Sequence, residues 1–301
     1  MHLVTGATGH VGRHLAERLD DRGHAVRVLV RNPSQLPDAA WVHRADVVVG
    51  SVADPDALAE SLEGVDVAYY LVHAMADGHD YAEVDRDLAT GFGAACADAG
   101  VGRIVYLGGL WPDDAPLTEH LASRREVGDI LLASGVPTTV LQAGIVLGPG
   151  SASLELLAFA VEWLPVVVGP SWLGNLVQPI ALADLLVHLE VAGQLPPDVS
   201  RAFDIGGTDA VTYKELLAAF ARATGRRPRP VVTFPVLLPE TTSLVAGMLS
   251  PGVSSLNSAL VHSLSVDMVM REDDFATYLP PGYDRMDLAS ALRVAVERPT
   301  G

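Results

Sequence analysis

A chain of 301 residues with 49% hydrophobic side chains can bury a core as one large domain, or as one domain with an appended lobe. Its net charge of −17 at pH 7 opposes binding to nucleic acid or anionic lipid, whose phosphates need a basic surface, and serves solubility instead. Cys96 is the only cysteine, so an internal disulfide and a cysteine-rich metal site are excluded and a cytoplasmic location is expected.

The apolar run 2–4 reads as a short first strand. It leads into Val4-Thr5-Gly6-Ala7-Thr8-Gly9-His10-Val11-Gly12-Arg13, after which Val11, Leu15 and Leu19 share one helical face. Three glycines spaced G-x-x-G-x-x-G between a strand and a helix have the context of a dinucleotide-binding turn. Gly6 takes the tight turn, Gly9 admits a pyrophosphate close to the backbone, and Gly12 lets the helix pack on the strand. The helix start, from Thr8 through His10 and Val11, offers its N–H groups and positive dipole end to the phosphates.

Strands and helices then alternate. The run 25–30 is a second strand, stopped by Asn32-Pro33-Ser34, and 46–50 is a third. Asp54 caps the next helix with Pro55 as its first residue. A fourth strand at 65–72, a helix at 81–99 ended by Gly100, and a fifth strand at 103–107 follow. A helix at 117–134 stops at Gly135, and 138–145 is a sixth strand. This rhythm predicts an α/β fold, a Rossmann-type doubly wound parallel sheet, with residues 1–150 as a dinucleotide-binding core and ligands at the carboxyl ends of the strands.

Residues 151–301 break the rhythm and are expected to form a smaller, mainly helical lobe that serves as substrate site or lid. Helices are predicted at 153–163, 182–191 and 212–224, the last with Thr212 and Glu215 as a capping box. The extended runs 175–180 and 201–207 are expected to return to the core sheet. Between Arg229 and Asp267 the only charged residue is Glu240, so the block 230–270 buries itself, covers a pocket or forms an interface. The longest apolar stretch, 154–168, is interrupted by Glu155, Glu162 and Pro165, so no transmembrane segment is expected.

Four motifs together resemble the short-chain dehydrogenase/reductase superfamily: the opening glycine turn, Val105-Tyr106-Leu107-Gly108-Gly109-Leu110, Ser134-Gly135-Val136-Pro137, and Ile205-Gly206-Gly207. They are most similar to its atypical branch, which includes NmrA-like proteins and the NADPH-binding accessory subunit of respiratory complex I. The resemblance implies a nicotinamide dinucleotide with its adenine near Gly50-Ser51-Val52. It implies that the other half passes Leu71-Val72-His73 and Leu107-Gly108-Gly109, and that the nicotinamide lies near Ala143-Gly144-Ile145. It does not imply a reaction, because this branch mixes reductases, isomerases and proteins without catalysis.

The second strand ends Leu29-Val30-Arg31-Asn32, with no acid to accept from a ribose 2′-OH. Arg31, with Arg13, can instead bind a 2′-phosphate, so NADP(H) is expected in preference to NAD(H). Enzymes of the wider superfamily commonly use a Tyr-x-x-x-Lys couple and a serine at the end of the fifth strand. Here the matching helix positions carry His120 and Arg124, the strand ends without serine, and Lys214 is the only lysine. Two readings stand. His120 protonates an alkoxide while Arg124 holds the nicotinamide ribose; or His120 is a surface residue and Arg124 pairs with Asp113 or Asp114.

Other polar and aromatic positions complete the candidates. His10 and His14 have a helical metal spacing but no third ligand, so no metal is expected. Tyr69 and Tyr70 must face opposite sides of their strand. Gln142 and Gln178 stand at expected pocket edges, and Trp111, Trp163 and Trp172 are candidates to line an apolar substrate site. The expected function is an NADP(H)-binding oxidoreductase acting on a small apolar carbonyl or enone substrate. The alternative is a non-catalytic NADPH-binding regulator or assembly partner, motivated by the missing couple. A homodimer, and association of the 230–270 block with a membrane or a partner protein, are further expectations.

Overall fold

The computed structural model describes residues 1–73, 81–112, 117–234 and 265–297. In chain order its first half comprises β1 (His2–Thr5), α1 (His10–Asp21), β2 (Val26–Val30), α2 (Ala40–Arg44), β3 (Asp46–Val49), α3 (Pro55–Leu62), β4 (Val67–Tyr70), α4 (Tyr81–Asp98), β5 (Arg103–Gly109), α5 (Glu119–Leu132) and β6 (Thr138–Ala143). Then come β7 (Val146–Leu147), α6 (Ala152–Trp163), β8 (Val167–Pro170), β9 (Leu176–Val177), β10 (Ile180–Ala181), α7 (Leu182–Ala192), β11 (Arg201–Ile205), β12 (Val211–Thr212), α8 (Tyr213–Ala223), β13 (Val231–Phe234) and α9 (Leu288–Val296).

Seven strands form one parallel sheet in the order β11-β6-β5-β4-β1-β2-β3. The near-continuous Val/Ile/Leu strands demand cover on both faces. On one face α1 and α7 bury Leu15, Leu19, Leu185 and Leu189. On the other, α3, α4 and α5 bury Leu62, Phe92, Val127 and Leu131. Neighbouring Tyr69 and Tyr70 enter these two opposite clusters, as strand alternation requires. The chain runs from β1 outward through β2 and β3, then crosses back to place β4 on the other side of β1. That reversal opens a crevice at the carboxyl ends of β1 and β4.

Local chemistry sets the helix starts. The Asp54 carboxylate accepts from the N–H groups of Asp56 and Ala57, with Pro55 in the first turn of α3. Thr212 and Glu215 form the reciprocal capping box of α8. A third apolar cluster joins α6, α8 and α9 through Leu157, Val161, Leu216, Phe220 and Leu292.

The run 175–180 does not return to the large sheet. β9 pairs antiparallel with β12 and β10 pairs with β7, each in a two-stranded sheet of its own. Pro179 separates β9 from β10 and has no N–H to continue a ladder, while the free edge of β6 is taken by β11. Of the nearly uncharged block 230–270, residues 235–264 lie outside the described residues. Its flanks are placed: β13 pairs with β8, and Met268 bridges to Val177. No helix among the described residues is long and apolar enough to cross a membrane.

The C-terminal segment is tied to the sheet edge through one buried carboxylate. Asp204 on β11 is 1% exposed and accepts from Arg271 at Nε (2.8 Å), Nη2 (2.6 Å) and the backbone N–H (2.8 Å). Removing it strands a partly buried guanidinium. Asp204→Ala is therefore expected to cost about 3 kcal/mol of stability, read as a lowered urea midpoint with an unchanged slope.

Candidate functional site

The glycine turn is shaped by what its residues lack. Gly6 has φ +71° and a Cβ placed there would stand 2.6 Å from the carbonyl oxygen of Leu71. A Cβ on Gly12 would stand 2.2 Å from the Gly6 carbonyl oxygen. Two hydrogens therefore permit the α1 start to nest against the ends of β1 and β4. The Thr5 hydroxyl locks the same corner: it donates to the Tyr69 carbonyl at 2.9 Å and accepts from the Leu71 N–H at 3.2 Å. Thr8 and Gly9 are exposed at the mouth of the turn, with Val11 partly buried behind them. The turn is thus a cradle closed to side chains and open to a ligand, and a diphosphate fits it: backbone N–H groups at a helix start, with no Cβ in the way.

The His10 ring points into protein. Arg13 donates to its Nδ1 at 3.3 Å, its centroid is 5.1 Å from that of His14, and its Nε2 is buried without a hydrogen-bond partner. Burial, with His14 and Arg13 nearby, lowers its pKa to about 4. His14 turns Nδ1 to the His10 carbonyl at 2.7 Å, the intrahelical contact that competes with a shared metal. No group of three His, Cys, Asp or Glu able to hold a metal occurs among the described residues.

Toward the outer end of the crevice, Gly50 donates to the Val30 carbonyl at 2.9 Å and so sets the ends of β2 and β3 side by side. Arg31 is exposed there, Ser51 and Val52 are partly buried, and the Ser51 hydroxyl accepts from the Ala53 N–H at 3.2 Å. At the inner end, Leu71 and Val72 pack against the two opposite apolar clusters. Gly108 and Ala143 lie buried at the ends of β5 and β6.

His73, His120 and Arg124 come together. The His73 and His120 rings meet edge to face at 5.1 Å between centroids. His73 Nδ1 lies 2.8 Å from Asp85 Oδ2, and the Ser123 hydroxyl donates to the same carboxylate oxygen at 3.2 Å. His120 is therefore a half-buried member of a polar cluster, and the surface reading of it is corrected. Burial, then the Arg124 charge and His73, lower its pKa from 6.5 to about 4. Arg124 donates to the Leu107 carbonyl and lies over the Tyr106 ring at 5.6 Å, while the Tyr106 hydroxyl donates to the Arg124 carbonyl at 3.1 Å. Asp113 and Asp114, the acids expected to pair with it, lie outside the described residues.

Asp85 and Ser123 escaped the reading of the sequence, although a signal was present. Asp85 interrupts an apolar stripe with Ala89, Phe92 and Cys96 on α4, and Ser123 one with Val127 and Leu131 on α5. A carboxylate held 2% exposed on such a face must be paired. Five other candidate residues are placed. Gln142 accepts from Arg271 at 2.5 Å, and Gln178 bonds the Gly207 carbonyl and the Met270 N–H, so both anchor neighbouring segments of the chain. Trp163 is 73% exposed, and Trp172 packs on Tyr213. Trp111 follows β5, and the guanidinium groups of Arg125 and Arg271 lie over its ring at 5.5 and 5.0 Å.

A family of NAD(P)H-binding domains matches residues 6–152. The chain is 31% identical over 230 residues to (4-alkanoyl-5-oxo-2,5-dihydrofuran-3-yl)methyl phosphate reductase of Streptomyces griseus, covering 75% of this chain and 74% of that protein. It is 28% identical over 264 residues to ceramide reductase of Caulobacter vibrioides, covering 85% and 78%. Among solved structures, a nucleoside-diphosphate-sugar epimerase from Staphylococcus aureus superposes with TM-score 0.76 at 18% identity, over 97% of this chain and 99% of that one. A Bordetella bronchiseptica enzyme solved with NAD+ superposes with TM-score 0.71 at 18% identity, over 98% and 96%. These last two share the fold.

Gly12→Ala is expected to force α1 off the turn and weaken nucleotide binding at least tenfold in a fluorescence titration, a loss of roughly 1.4 kcal/mol or more. His120 gives a pH signature. Its folded pKa of about 4 lies below the ordinary 6.5, so the unfolded chain binds a proton that the folded one refuses between those values. This contribution to stability is complete above the upper value and lost as pH falls through the window. Urea unfolding at neutral and mildly acidic pH should show a smaller loss for His120→Gln than for the wild type.

Proposed function

We propose that this chain, which belongs to the NAD(P)H-binding family of the atypical short-chain dehydrogenase/reductase superfamily, is an NADPH-dependent reductase of a small apolar carbonyl or enone compound. One juxtaposition carries the reading: a glycine cradle at one end of the crevice and a buried carboxylate with two imidazoles at the other. Two of its curated relatives, those that match it over most of its length, are reductases, one of an alkanoyl furanone phosphate and one of a ceramide. Carried to this chain, they favour a substrate with a polar carbonyl and an aliphatic part. We assign it to the branch of NmrA-like proteins and the complex I accessory subunit on the motifs of its opening turn and fifth strand.

The preference for the phosphorylated nucleotide rests on Arg31. It is exposed at the end of β2, and the residues around it, Val30, Asn32 and Gly50, include no acid to accept from a ribose hydroxyl. A guanidinium there binds a 2′-phosphate through paired N–H groups. Gly6, Gly9 and Gly12 hold the diphosphate, with the backbone of Thr8, His10 and Val11. Ser51 and Val52 wall the adenine, and Leu71, Val72, Gly108 and Ala143 flank the inner half. When bound, the nucleotide supplies a hydride to the substrate carbon. His120, a neutral imidazole near pH 7, presents an N–H to the substrate oxygen. Arg124 keeps α5 against β5 through the Leu107 carbonyl and holds that imidazole in register.

A second reading, a nucleotide-binding regulator or assembly partner without turnover, is favoured by one observation. The cation at the position of the superfamily's lysine is engaged by a backbone carbonyl. The two readings part on NADPH consumption with a panel of aldehydes, ketones and enones, where a flat background supports the regulator. For the cofactor, Arg31→Ala is expected to raise the NADPH Kd about tenfold and leave the NADH Kd within roughly twofold, from the ~1.5–3 kcal/mol worth of a charged hydrogen bond. Equal weakening of both nucleotides contradicts the role given to Arg31.

A further inference from the structure

The reductase reading leaves a proton without a source. A carbonyl that takes a hydride on carbon becomes an alkoxide, and the superfamily's tyrosine is absent from the matching helix position. Tyr70 and Tyr106 stand close by in the folded chain, but burial raises the pKa of each and both rings are packed in the core beneath α4 and α5. His120 is the side chain nearest in role. Burial, with the Arg124 charge beside it, lowers its pKa to about 4, so near pH 7 it is a neutral ring without a spare proton to give.

The ring in contact with it is differently placed. His73 follows β4 into the crevice, three residues beyond Tyr70, and its side chain is 16% exposed. Its Nδ1 is 2.8 Å from the Asp85 carboxylate, which is buried and also receives the Ser123 hydroxyl. A carboxylate on Nδ1 fixes the tautomer and turns Nε2 to the other side of the ring. Three separate segments build this arrangement: the stretch just after β4, the second turn of α4 and the first two turns of α5. Of the other groups facing the pair, Tyr81 and Glu119 are uncharged or acidic, and Arg124 is turned to the Leu107 carbonyl.

We propose that His73 is the proton source of the reduction, that His120 passes the proton to the substrate oxygen, and that Asp85, backed by Ser123, is the residue that positions His73. The inference rests on the reductase reading. In the step, the carbonyl π bond breaks, a C–H bond forms with the hydride of NADPH, and an O–H bond forms with the proton leaving one nitrogen of His120. The other nitrogen of His120 takes the Nε2 proton of doubly protonated His73, which ends neutral with Nδ1–H on Asp85. His120 stays neutral throughout, with its tautomer exchanged. Solvent then reprotonates His73 through its exposed edge. The sum is carbonyl, NADPH and one proton to alcohol and NADP+.

The test has a kinetic arm and a spectroscopic arm. With NADPH and two probes, an aliphatic aldehyde and an aliphatic 2-enone, His73→Ala is expected to lose about 100-fold or more in kcat. Added imidazole restores part of the rate, which a merely structural defect would not permit. Asp85→Asn is expected to fall about tenfold or more, with partial recovery in Asp85→Glu. In nitrogen-15 spectra of the histidine-labelled chain without nucleotide, Nδ1 of the His73 ring carries a proton, and Asp85→Asn lowers its occupancy. Should the wild type reduce neither probe, the reductase reading fails. Should it reduce one while His73→Ala keeps the wild-type rate, or should Nδ1 of the wild-type ring carry no proton, the assignment of His73 is overturned whichever function holds.

Discussion

The fold depends on a contact that only hydrogen can make. Helix α1 approaches β1 so closely that a methyl group at Gly12 would overlap the carbonyl of Gly6, 2.2 Å away. Because that contact exists, the helix dipole and its N–H groups point across the carboxyl ends of the strands instead of away from them. Thr5 adds the lateral restraint, bridging β1 to the Tyr69 carbonyl and the Leu71 amide. The crevice at the chain reversal is therefore a rigid corner. The loops that end β2, β3, β4 and β5 are then arranged around a fixed point, which is the condition for binding an extended ligand along several strand ends at once.

Arginine does much of the polar work beyond that corner. Arg103 is buried on β5 and serves Thr139, Val199 and Pro196, and Arg27 on β2 reaches the carbonyls of Glu60, Ser61 and Glu63. Arg124 and Arg271 use the same fork on Leu107, Asp204 and Gln142. A planar guanidinium satisfies several acceptors in fixed directions and stays charged when buried. An ammonium, a point charge on a flexible stem, does this poorly. The composition, with its single lysine, is thus matched to a fold that fastens loops and helix starts by their carbonyl groups.

Much of this was legible in the residues. The strands of the large sheet announced themselves as short Val/Ile/Leu runs, and Asp54-Pro55 and Thr212 with Glu215 marked helix starts where the structure has them. What was not legible was mostly a matter of length or distance. The two-residue strands β7, β9, β10 and β12 are too short to show alternation, and Pro179 hid a break inside what looked like one strand. The anchoring bonds of Gln142 and Gln178 were hidden because their partners include residues of the segment 268–271, far away in sequence. His120 was read from its place at a helix start, where side chains usually meet water. Its burial is decided by His73 and by Arg124 one turn on. Asp85 was readable in principle, as an acid in the apolar stripe of α4, since helical spacing alone puts it on the covered face.

The pairing of β11 with β6 reaches further than the sheet edge it completes. All six residues of β6 are buried, and β11 enters from beyond α7, well past the 6–152 match to the nucleotide-binding family. A fragment trimmed to that match would carry β6 as a bare margin of unsatisfied amides and carbonyls flanked by Leu141 and Val140. That is a ready template for stacking between molecules. The recognisable nucleotide-binding portion is consequently not a portable unit, and evolution by swapping the second half must bring its own strand to seal the seam.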